Sequence, residues 1–117
     1  MEKRIKPILP TLREKARYLA FEVISDQKTD FRQIESQILY RSREFLGMLG
    51  MAKAGIQVMK DNWNAEKQRG IIRLDHKWVH QLKASFLFIN KIDGKNAIIK
   101  SIGLSGMINK MKLKIAG

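Results

Sequence analysis

Gly70-Ile71-Ile72-Arg73-Leu74-Asp75-His76-Lys77-Trp78 is the stretch on which the fold turns. Gly70 to Leu74 is an apolar run suited to a central β-strand. Asp75 follows at once, and its short carboxylate side chain suits the cap of a helix start. Beyond it Trp78, Leu82, Phe86 and Ile89 fall on one helical stripe. Upstream, Ile56 to Lys60 alternates as a second strand, and the polar residues 61–68 join the two as a hairpin loop with Trp63 at its tip.

Working outward, Tyr18 to Ile24 places Leu19, Phe21 and Val23 on one face of a strand and Glu22 on the other. After the polar residues 25–29, Asp30 stands three residues before Gln33, the spacing of a capping box. Phe31, Ile34, Ile38, Phe45 and Leu49 then follow helical spacing, with Arg32, Glu35, Arg41 and Glu44 largely off that stripe. This helix frays near Gly47 and Gly50, and the glycine-rich residues 47–55 read as its exit. Toward the other end, Asp93-Gly94 is a turn signal, and Ala97 to Ile102 makes a fourth strand. Ser105 caps a short last helix in which Met107, Ile108, Met111 and Ile115 cluster on one side. The order βαββαβ plus a terminal helix predicts an α+β, ferredoxin-like or RRM-like sandwich. It has a four-stranded antiparallel sheet, two helices on one face and a short C-terminal helix. Residues 1–117 are expected to form one such RNA-binding domain, with 1–17 an extended basic lead-in and 105–117 the basic helix.

The chain has 117 residues, no cysteine and a formal net charge of +12. Lacking cysteine, it has no disulfide, thiolate nucleophile or thiolate-bound zinc. Its 44% hydrophobic content is enough for a core. No run of apolar residues reaches membrane-span length, and the basic start lacks the apolar core of a signal peptide. The expectation is a soluble cytoplasmic protein that makes no use of a membrane. Charge is concentrated at the ends: residues 1–17 carry +4, residues 95–117 carry +5, and the 77 residues between them only +3. A nearly balanced body with basic ends points to a polyanionic partner, solvated lysine-rich tails being the plainer alternative.

Catalytic chemistry is hard to find. His76 and His80 have the i, i+4 spacing of zinc hydrolases, but Lys77 follows His76 and no third ligand is assignable. They read as two surface imidazoles after a cap. There is no phosphate-cradling loop, nucleophile elbow or paired carboxylate pattern. The central strands also lack the aromatics on which RNA-recognition motifs stack bases, Tyr18 being the one candidate. Binding is therefore expected at phosphates, with the open apolar sheet face available to a protein.

Three blocks resemble a known family in order along the chain. Leu9-Pro10-Thr11-Leu12-Arg13-Glu14-Lys15-Ala16-Arg17-Tyr18-Leu19-Ala20-Phe21 resembles the opening of archaeal ribonuclease P protein component 2. Gly70 to Lys77 is similar to its central strand and helix start, and Ile99 to Ile108 to its ending. The resemblance covers roughly residues 9–114. It departs at Leu74, where cysteine is expected in relatives, and in the hairpin 61–68. It implies an RRM-like subunit of an enzyme whose RNA carries catalysis and binds magnesium, with no cofactor on this chain. The RNA removes the 5′ leader from precursor tRNA, which this chain would meet indirectly. The implied partners are ribonuclease P RNA, the TIM-barrel-like component 3 and other ribonuclease P proteins.

The residues expected to neutralise RNA phosphates form three patches. The first is Arg13, Lys15 and Arg17. The second is Arg73, His76 and Lys77, where first-turn amides add to the attraction. The third is Lys100, Lys110, Lys112 and Lys114. Leu87 and Phe88 are candidates for component 3, with closure of the core as the competing reading. The rival functions are an RNA-binding module of ribosome assembly or other tRNA handling, a peripheral membrane protein using the last helix, and a metal hydrolase at His76 and His80.

Overall fold

In the computed structural model, which describes residues 15–117, the first strand is β1, Ala16–Ser25. There follow α1 (Phe31–Ala54), β2 (Gln57–Val58), β3 (Arg69–Asp75), α2 (Val79–Phe86), β4 (Lys91–Ile92), β5 (Lys95–Ser105) and α3 (Ile108–Ala116). Short 3-10 turns at Lys60–Asn62 and His76–Trp78 lead out of β2 and into α2. The strands form one antiparallel sheet in the order β2-β3-β1-β5-β4.

The expected four-strand frame is present, but the sheet has a fifth strand. Asp93 and Gly94, both at positive φ, make a tight turn that folds Lys91–Ile92 back on Lys95 and Asn96. Two residues are too short for any period to show, yet Ile92 is fully buried. β1 occupies the centre, between β3 and β5. Leu19, Phe21, Val23, Ile72 and Leu74 face one side, where Ile34, Ile38, Leu82 and Phe86 of α1 and α2 meet them.

The other sheet face is not open. Ala20 and Ile71 are covered by Met111 and Ile115 of α3, with Tyr18, Met59, Ile102 and Ile108 around them. The run Ile71-Ile72 in β3 is thus apolar because the strand is buried on both sides. A one-residue bulge in β5 at Ile102, opposite Ala20 and Phe21, bends the strand beneath α3. The last helix starts at Ile108, and Met107 stands exposed before it. Ser105 ends β5, and its hydroxyl accepts from the Met107 N–H at 3.0 Å.

α1 also departs from expectation. Its buried series is Phe31, Ile34, Ile38, Ser42, Leu46, Gly50 and Ala54. Phe45 and Leu49, placed on the stripe by spacing, are exposed. The helix continues past the glycines with a kink at Gly47, whose φ of 73° suits a residue without a β-carbon. Ser42 satisfies its hydroxyl on the Ile38 carbonyl at 2.6 Å and so can lie inside. Gly50 lets the Trp78 ring approach. Asp30 holds the N-cap position, but its side chain makes no cap hydrogen bond. Trp63 is not a free tip: its ring lies 6.1 Å from Phe21 and 5.8 Å from Phe31, centroid to centroid.

Candidate nucleic-acid interface

Cross-strand pairing decides which basic residues meet. Ala16 pairs with Asp75 and Arg17 with Leu74, so the start of β1 lies beside the end of β3. The His76 N–H donates to the Lys15 carbonyl at 3.0 Å, which ties the two segments together. Lys15 and Arg17 of the first expected patch therefore join the second at one cationic end of the sheet. Lys15 and Lys77 are exposed there, while Arg17, Arg73 and His76 are half-buried. Arg17 Nη1 donates to the Ala16 carbonyl at 2.9 Å. Lys53, from the last turn of α1, lines a recess with Arg73 and Asp75 at the same end. Arg13 lies outside the described residues, as do the β1 lead-in residues 1–14, and the strand itself begins at Ala16.

The helix start after β3 is capped as its sequence suggests. The Asp75 carboxylate accepts from the Lys77 N–H at 3.1 Å. That bond and the one from His76 occupy both amides, so the expected contribution of free amides to anion binding is absent from those two groups. His76 belongs to the 3-10 turn and His80 to α2, so they do not share one regular α-helical face. Among the described residues no three His, Cys, Asp or Glu side chains gather as a metal site.

The third patch is divided. Lys100 and Lys114 line an open groove of about 610 Å³ between the sheet and α3, together with Glu22 and Arg69. Lys110 and Lys112 are exposed on α3 and line no part of it. Arg69 and Lys53 were missed from sequence. Arg69 falls between the loop 61–68 and the strand expected from Gly70, and Lys53 lies in the glycine-rich segment that reads as a helix exit. Burial of Met111 and Ile115 at i, i+4 sets the orientation of α3 and so leaves all its lysines in solvent.

A separate apolar surface lies on the helix side. Phe45 and Phe88 pack with ring centroids 4.9 Å apart, and Met48, Leu49 and Leu87 are exposed nearby in the chain. Leu87 is 83% exposed. Neither Leu87 nor Phe88 closes the core; that role falls to Phe86 and Ile89. No helix among the described residues is long and apolar enough to cross a membrane.

Comparison with known proteins gives one consistent result. The sequence is 40% identical over 114 residues to ribonuclease P protein component 2 of Pyrococcus furiosus, spanning 97% of this chain and 93% of that protein. It is 36% identical over 111 residues to the protein of the same name from Pyrococcus abyssi, spanning 95% and 92%. The Methanosarcina mazei counterpart is 33% identical over 106 residues, spanning 91% and 88%. A chain in the cryo-EM structure of yeast ribonuclease MRP has the same fold at a TM-score of 0.61, with 11% identity and 88% and 87% coverage. The profile of the Rpp14/Pop5 family matches residues 17–116, from the second residue of β1 to the end of α3, and the chain belongs to that family.

Proposed function

We propose that this ribonuclease P protein subunit assists the catalytic RNA in removing the 5′ leader from precursor tRNA, acting as counter-charge rather than as a catalyst. Family membership supports the assignment to ribonuclease P. One observation of geometry carries the mechanism. The His76–Lys15 hydrogen bond joins two basic segments about sixty residues apart into a continuous cationic end of the sheet. Lys15, Arg17, Arg73, His76 and Lys77 there, with Arg13 in the preceding segment, bind phosphates where RNA strands approach each other. Lys100, Lys110, Lys112 and Lys114 add a second contact region around α3. Such binding favours the compact active RNA over its competing conformers, because only the compact form places phosphates at this density. Magnesium belongs to the RNA in this scheme, and the chain works in the cytoplasm.

The partner protein in the scheme is the TIM-barrel-like component 3, seated on the exposed Phe45–Phe88 side. Aromatic side chains left in water next to other apolar groups are typical of protein interfaces. Reconstitution tests the function. The chain, added with its partner to ribonuclease P RNA at limiting magnesium, should raise the rate of precursor-tRNA cleavage, and should cleave nothing by itself. No gain with RNA present, or cleavage without it, would overturn the reading.

A further inference from the structure

The groove beneath α3 is built from a row of three paired residues. Glu22 on β1 lies opposite Arg69 on β3 and opposite Lys100 on β5, so the three stand side by side on the α3 face of the sheet. Lys114 from the last turn of α3 completes the wall, with Ser101 beside it. Three cationic side chains face one carboxylate side chain in this open channel, with Gly117 at its rim.

Arg69 is held but under-used. Its Nε is buried 3.5 Å from Glu22 Oε2 and makes no hydrogen bond among the described residues. Its Nη1 reaches the Lys114 carbonyl only at 3.4 Å, near the weak limit of a hydrogen bond. A guanidinium has five N–H donors in a flat fork that suits phosphate oxygens. The C-terminal end of α3 would ordinarily repel an anion. Here the Asn64 amide donates to the Ile115 carbonyl at 3.2 Å and, just past the helix, Lys67 Nζ donates to Gly117 O at 3.0 Å, which offsets part of that repulsion.

We infer that this groove seats a stretch of RNA backbone, with Arg69, Lys100 and Lys114 on its phosphates and Glu22 as a built-in competitor for Arg69. The inference rests on the reading above that the chain works on RNA. Glu22 holds the guanidinium in position before RNA arrives and lowers the affinity of the seat. A phosphate displaces it from Arg69 when enough neighbouring contacts form together. The seat then favours a backbone that also reaches Lys100 and Lys114 over an isolated anion.

The test measures affinity of the full chain for labelled ribonuclease P RNA across a range of salt. Lys100→Ala should lower the slope of log affinity against log salt by roughly 0.7–0.9, the value of one phosphate contact. Lys100→Arg should restore it. Glu22→Gln should tighten binding about 2–5-fold at fixed salt, the scale of one surface ion pair. Lys91→Ala and Asp93→Asn remove the same charges from the β4 edge and serve as matched controls. A slope for Lys100→Ala equal to that of Lys91→Ala would overturn the seat. Glu22→Gln binding no tighter than Asp93→Asn would overturn the role of Glu22. Failure of the unaltered chain to bind the RNA at all would instead overturn the reading on which the inference rests.

Discussion

Phe45 and Phe88 lie ring to ring at 4.9 Å although they are 39% and 56% exposed. Phe45 comes from α1 and Phe88 from the turn that follows α2, and they meet outside the core. Replacing Phe88 with Ser removes one side of this pair and leaves the buried residues Phe86 and Ile89 in place. The expected loss of stability is about 0.5–1.5 kcal/mol, the value of an aromatic pair. Binding to component 3 should weaken at least about tenfold, as for a hot-spot aromatic. Titration calorimetry and thermal melting of the same variant separate the two effects, and an unchanged affinity would place the partner elsewhere.

The cationic end of the sheet makes a second prediction. Arg73→Ala combined with Lys77→Ala removes two of its charges without touching the core. The salt slope of RNA binding should fall by roughly 1.4–1.8, two phosphate contacts by counterion release. The melting temperature should stay nearly constant, because neither side chain is fully buried. A parallel shift of affinity with no change of slope would mean that these residues touch no phosphate.

Gly70 sits beneath two aromatic rings. A β-carbon there would come within 2.7 Å of Phe21 Cζ and 3.0 Å of Trp63 Cε3. Phe21 is fully buried and has no room to withdraw. Gly70→Ala should therefore destabilise the fold by about 1–3 kcal/mol, the cost of overpacking a core. Urea unfolding measures it, and a neutral result would show that both rings, Phe21 included, yield easily.

The docking of α3 depends on two side chains. Met111 and Ile115 are each 6% exposed and are the buried residues of that helix. Ile115→Ala should cost about 2–4 kcal/mol if the helix stays in place. A loss confined to α3 would appear as faster amide exchange in residues 108–116, with β1, β3 and β5 still protected. The same variant should weaken RNA binding, since Lys114 loses its station at the groove. Uniform loss of protection would instead make α3 part of the central cooperative unit.

Much of the fold was legible because alternation and helical spacing are local. Leu19, Phe21 and Val23 could be assigned to one face of β1 from their spacing, and they lie on that face. Asp75 could be assigned a capping role, and it caps. The reading of α1 failed at Phe45 and Leu49 because hydropathy ranks a phenylalanine above a serine at any position. Ser42 entered the core only through its bond to the Ile38 carbonyl, and Gly50 only because Trp78 packs against it. β4 escaped notice because two residues carry no period.

By itself, then, the amino-acid order determined the four main strands, the helices between them and the excess of positive charge at the ends. Each of these follows from side-chain periodicity or from counting charges. Tertiary structure alone decided that α3 lies across the second sheet face, that Lys15 meets His76, and that Glu22 stands between Arg69 and Lys100. Those relationships depend on strand register and on where a helix comes to rest. Both are set by packing between residues far apart in the chain, which no local pattern records.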